Sequence, residues 1–153
     1  MSRAEQIATI RDFAPRLRRL VAGLTDEQLT TPYNAPEWTV AQNVHHLADS
    51  HMNSYIRFVL ILTEDHPTLR PYDQNTAAEL PNASDANIED SLRLLEGLHA
   101  RWARMMDAIT DWDAAGYHPE LKRDVSLDYM ADYYSGHCEA HLRQIQDVLD
   151  KMP

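Results

Sequence analysis

Thr39-Val40-Ala41-Gln42-Asn43-Val44-His45-His46-Leu47-Ala48-Asp49-Ser50-His51-Met52 opens the stretch that decides the architecture, and the chain runs on to Thr63 without a glycine or a proline. Thr39 can cap a helix through its hydroxyl while Gln42, at the third helical position, reaches back to close a capping box. Val40, Val44, Leu47, His51, Tyr55, Phe58 and Leu62 then recur at helical rather than strand spacing. One long helix beginning at Thr39 is the direct reading.

The same periodicity extends in both directions. Upstream, Ile7, Ile10, Phe13, Leu17, Leu20 and Val21 form the inner stripe of a first helix over roughly Arg3 to Ala22, which Pro15 is expected to kink or split. A short helical turn from Thr25 to Leu29 precedes a Pro32 to Pro36 loop. Downstream, Glu64 to Asn87 carries Pro67, Pro71 and Pro81 and reads as a long connection holding a short helix from Asp73 to Leu80. A third helix is expected from Ile88 to Ile109, with Leu92, Leu95, Leu98, Trp102, Met105 and Met106 toward the core. Gly116, Tyr117, His118 and Pro119 read as a loop. Ser126 caps a fourth helix that passes through Met130, Tyr134, His137, His141, Ile145 and Val148 to Leu149. Four long helices with one long crossover predict an all-α chain, a four-helix bundle whose core can hold a site built from facing side chains.

Composition narrows the function classes. The 153 residues, 44% of them hydrophobic, suit one domain with a real core. A formal charge of −10 would repel a nucleic-acid backbone. The densest basic cluster, Arg11 to Arg19, alternates with Phe13, Leu17 and Leu20 as the solvated face of an amphipathic helix does. The amino terminus lacks a secretory pattern, and the longest apolar run, Phe58 to Leu62, is far short of a membrane span, so a cytoplasmic protein is expected. Cys138 is the only cysteine, which removes an internal disulfide and a cysteine-based zinc knuckle.

Histidine is where chemistry concentrates. His137 and His141 are one helical turn apart on the same face and interrupt the apolar stripe between Tyr134 and Ile145. Two imidazoles facing a core need hydrogen-bond partners, and one metal ion can serve both. On the second helix His46 lies near Gln42, Asp49, Ser50 and Asn53, and the residues alone leave it either a ligand or an exposed histidine on a polar face. His45 and His51 read as packing or hydrogen-bonding residues, as do His66 and His99, while His118 could line a loop at the site. Cys138 follows His137 directly and is turned about 100° away from the pair, which points to a packed thiol rather than a nucleophile.

The stretch Glu37 to Ser54 resembles the DinB-like superfamily, in particular its YfiT-type branch of metal-dependent hydrolases. Tyr55-Ile56-Arg57-Phe58, Arg70-Pro71-Tyr72-Asp73, Leu98-His99-Ala100-Arg101-Trp102, Tyr117-His118-Pro119-Glu120 and Tyr134-Ser135-Gly136-His137 with His141 extend the likeness along nearly the whole chain. The resemblance implies a bundle in up-down-down-up order with a three-histidine metal site. Carried over by position, the ligands are His46, His137 and His141; His46 is preferred to His45 because the superfamily's ligand precedes the Leu-Ala pair. The chain departs from the branch at Tyr133-Tyr134, where Trp-His is common, at Cys138, where a second adjacent histidine is common, and at Ala77, where a tryptophan is usual.

Three neutral imidazoles leave coordination positions open, which suits a catalytic zinc or nickel ion. A coordinated water would become an effective nucleophile for hydrolysis, and a coordinated low-molecular-weight thiol would be held as thiolate for S-transfer to an electrophile, as in transferases of the superfamily. The alternative is a metal-binding or stress-response protein without turnover. The expected partner is a small-molecule substrate rather than nucleic acid or membrane, with a homodimer as one option for assembly.

Overall fold

Ser2, Thr25, Thr39 and Ser126 each accept a hydrogen bond from the backbone N–H three residues ahead, and a helix starts after each of them. The computed structural model describes residues 1–153 and contains α1 (Arg3–Val21), α2 (Asp26–Thr30), α3 (Val40–Thr63), α4 (Gln74–Ala78), α5 (Glu89–Asp107), β1 (Ala115–His118), β2 (Arg123–Ser126) and α6 (Leu127–Leu149). A 3-10 turn at Pro81–Ala83 completes the crossover between α3 and α5. Pro15 does not split α1, which stays one helix over its whole length. The proline lies on the exposed side, where the carbonyl left without its N–H can be hydrated.

Cross-helix contacts fix the directions. His99 on α5 reaches the Ile10 carbonyl on α1 while Arg18 pairs with Glu89 and Glu96, so α1 and α5 run antiparallel. Gln6 bonds Asp132 and Arg16 bonds Glu139, so α1 and α6 run parallel. His45 with Ser91 and His51 with His99 make α3 and α5 parallel, and Asn43 with His141 makes α3 and α6 antiparallel. The four long helices therefore run up, down, down and up, as the resemblance implied. The basic stretch of α1 is indeed at the surface, but its arginines are not merely solvated: Arg11, Arg16 and Arg18 each pair with an acid on α5 or α6.

One hydrophobic cluster joins all four helices through residues such as Phe13, Leu47, Trp102 and Ile145. At the end of α3 the stripe drifts: Leu62, expected inside, is exposed and Ile61 is buried. The expected stripe steps by more than 3.6 residues on average, whereas the buried positions Val40, Val44, Leu47, His51, Ser54, Phe58 and Ile61 keep the shorter, heptad-like period of helices packed along one seam.

Of the loop expected at Gly116 to Pro119, Gly116 to His118 are instead strand, and Pro119 begins the turn that follows. β1 pairs antiparallel with β2, Tyr117 facing Asp124 across the ladder. The free edge of β1 is engaged by the crossover: Leu69 N–H donates to the Tyr117 carbonyl at 2.8 Å and Tyr117 N–H donates to the Pro67 carbonyl at 2.9 Å. This contact passes over Gly116, where a Cβ would stand 2.8 Å from the Pro67 oxygen, so only glycine fits.

Candidate metal centre

The antiparallel pairing of α3 and α6 brings His46 opposite His137 and His141. One ring nitrogen from each lies within 4.8 Å of the other two. His46 is buried rather than exposed, packed against the Trp38 ring at a centroid distance of 4.7 Å. His45, its neighbour, turns away and bonds Ser91 Oγ at 2.7 Å and the Asp85 carbonyl at 3.0 Å. The geometry thus gathers the three histidines singled out in the sequence and leaves His45 in a hydrogen-bonding role.

The hydrogen bonds fix which nitrogens carry protons. Asn43 Nδ2 donates to the Thr39 carbonyl, which orients its amide oxygen toward His141. His141 Nδ1 must then donate to Asn43 Oδ1, at 2.9 Å, and its Nε2 is bare. A second chain starts on α1. The Ile10 carbonyl only accepts, so His99 Nδ1 donates to it at 2.6 Å. The now bare His99 Nε2 accepts from His51 Nδ1 at 2.7 Å, and His51 Nε2 accepts from His137 Nδ1 at 3.1 Å. His137 Nε2 is therefore bare as well.

Two bare nitrogens consequently face each other, His137 Nε2 and His141 Nε2, 3.1 Å apart. With no proton between them their lone pairs repel, and an electrophile between them removes the conflict. Metal–imidazole bonds of about 2.0–2.1 Å suit nitrogens at this spacing. Tyr72 Oη lies 3.3 Å from His46 Nδ1; the phenol oxygen there can accept a hydrogen bond from Nδ1–H and leave Nε2 bare in the same way. The residues present fit a divalent cation.

Electrostatics agrees with neutral ligands. Burial, then the charge of its histidine neighbours, lowers His137 to about 3 and His46 to about 4, while burial alone lowers His141 to about 4. Burial also holds His99 at about 4 and His51 well below its ordinary value. All five rings are neutral at pH 7. Cys138, on α6 with the two histidines, is fully buried, and desolvation raises its thiol far above the usual range, as suits a packed thiol.

A cavity of about 220 Å³ opens beside His137. Tyr72 from the crossover, His118 from the hairpin, and Tyr133 and Tyr134 from α6 line it, so the loop role expected of His118 is realised from a strand. Sequence reading missed His51 and His99 as a relay and Asn43, Tyr72 and Arg57 as site neighbours. His99 does sit at core spacing from Leu92, Leu95 and Trp102, which is the one signal the chain offers.

Comparison with known proteins points the same way. The sequence profile of the DinB superfamily matches residues 10–145. The chain is 41% identical over 148 residues to the "Putative metal-dependent hydrolase YfiT" of Bacillus subtilis, covering 95% of this chain and 83% of that protein. It is 44% identical over 146 residues to a protein of Geobacillus thermodenitrificans named in the same terms, covering 94% and 82%. The solved structure of Bacillus subtilis YfiT, described as having an unusual four-helix bundle topology, superposes with a TM-score of 0.94 at 39% identity over 99% of this chain and 90% of that one. On its sequence, its helix order and its trio of facing histidines, this chain belongs to the DinB superfamily.

Proposed function

We propose that the chain is a metal-dependent enzyme in which His46, His137 and His141 hold one divalent cation, zinc or nickel, at the edge of the Tyr-lined cavity. The observation that carries this reading is the pair of bare imidazole nitrogens 3.1 Å apart, both fixed by hydrogen bonds that start outside the site. When bound, the cation supplies Lewis acidity that lowers the pKa of a coordinated thiol or water, so that the nucleophile is available as its anion near neutral pH.

The side chains divide the remaining work. Asn43 and the His51–His99 relay hold the two α6 rings in register. Trp38 and the buried face of α3 keep water from His46. Tyr72 and Tyr134 offer hydroxyls toward the cavity, Tyr72 held as phenol by a pKa that burial pushes up to about 12. The only carboxylate in the lining is the exposed Glu120, so no buried carboxylate stands ready to take a proton from water, and His118, only partly buried, is the one imidazole there besides the ligand His137. That favours S-transfer from a small thiol, which ionises without a protein base, over hydrolysis. The relatives' names favour the hydrolytic reading, which stays as the second.

The test combines binding and chemistry. Protein purified without chelator is expected to carry one zinc or nickel per chain, and His137→Ala with His141→Ala to carry none. In the cobalt-substituted protein, a cysteine-like thiol is expected to produce a sulfur-to-metal charge-transfer band and to be consumed with a halonitrobenzene electrophile. Turnover of activated esters with no thiol present would replace S-transfer by hydrolysis. Full metal content after loss of both α6 histidines would overturn the site.

A further inference from the structure

Arg57 is about nine-tenths buried in the C-terminal third of the chain's longest helix, and no carboxylate pairs with it. Its partners are neutral. Nε and Nη2 both donate to the Arg70 carbonyl, at 3.2 and 2.9 Å, and Nη1 donates to Tyr134 Oη at 3.0 Å. A guanidinium has five N–H donors. These bonds leave one on each terminal nitrogen, the pair that grips an anion in a fork. A buried positive charge without a counter-ion is costly, and an anionic ligand in the cavity would offset that cost.

The charge faces the cavity that meets His137. Arg57 is the only arginine or lysine in the lining, and Glu120, the only acid there, is exposed in the turn between β1 and β2. The field of Arg57 reaches the other walls, where it helps to lower His118 and opposes the rise of Tyr72, burial being the larger influence on both. The Tyr134 ring links the two ends of the cavity: its hydroxyl meets the guanidinium, and its ring lies 6.0 Å from that of His137. Between them Leu69, Val125 and Met130 are apolar, and Tyr133 stacks against His137.

We propose that this cavity selects a small substrate with a single carboxylate, gripped by Arg57, and a flat apolar body that carries its reacting group toward the three histidines. A single guanidinium with hydroxyl neighbours matches one negative charge; a phosphate dianion asks for more cations than the lining holds. The carboxylate grip stands on Arg57 alone, while the reacting end rests on the metal-centre reading above.

The experiment is done on metal-stripped protein, so that failure of the metal reading leaves this one testable. Benzoate, benzamide and phenylphosphonate are titrated by NMR with the arginine side chains labelled with nitrogen-15, and metal uptake is measured separately. Benzoate is expected to bind saturably, to shift the Arg57 Nε resonance, and to bind at least ten times more tightly than benzamide. Arg57→Gln is expected to erase that preference while keeping helicity and zinc uptake. If that variant fails to fold, the Arg57 resonance in the parent protein still decides. Equal binding of benzoate and benzamide, an unmoved Arg57 resonance, or tighter binding of phenylphosphonate would each overturn the proposal.

Discussion

A histidine ligand is only as good as the bond that fixes its other nitrogen. Asn43 does this for His141, and His51, itself held by His99, does it for His137. Removing such a partner typically lowers metal affinity about 10- to 100-fold. Asn43→Ala and His51→Phe are each expected to weaken zinc binding in that range, measured by competition with a chromogenic chelator, while His45→Ala changes it little. An unchanged affinity in both would show that the proton pattern does not govern the site. Cys138→Ser is expected to keep metal and turnover but to cost stability, because the new hydroxyl is buried where a thiol packed, at about 1–3 kcal/mol if it finds no acceptor. Loss of turnover with metal and fold intact would restore a chemical role to the cysteine.

At the scale of elements, the hairpin and the crossover are tied together at Gly116, and together they form one wall of the cavity. Gly116→Ala forces a methyl against the Pro67 oxygen and Leu69. It is expected to cost about 1–3 kcal/mol and to weaken substrate binding more than metal binding. Equal effects on both would mean that the wall and the metal centre are one unit. The helices were legible because each long one carries an apolar stripe and most carry a start signal, as Thr39 with Gln42 and Ser126 show, while α5 begins at Ile88 without a side-chain cap. The hairpin was not, because Ala115–His118 and Arg123–Ser126 are four residues each and gain their strand character from pairing with one another and with Pro67–Leu69. The site was half legible. His137 and His141 announce themselves by spacing along one helix, whereas the relay joins His51 to a residue on another helix 48 positions away, and no local pattern records such a contact.

Across the whole molecule, the buried histidines make folding sensitive to mild acid. In the unfolded chain they titrate near 6.5, whereas in the fold His46, His99 and His141 stay neutral down to about 4 and His137 to about 3. Below about pH 6.5 the unfolded state binds more protons, so stability is full above that value and is lost as pH falls toward 4. The urea midpoint of metal-stripped protein is expected to drop steadily between pH 7 and pH 4.5, before carboxylates protonate in bulk. A flat profile over that window would show that the rings are charged inside the fold. The pairing of Asn43 with His141 spans 98 positions of chain and has a consequence in time. A ribosome that has not yet delivered α6 has delivered only one member of the trio, so a nascent chain stalled before Leu127 should capture no zinc, and loading of the ion becomes a report that the last helix has emerged and docked.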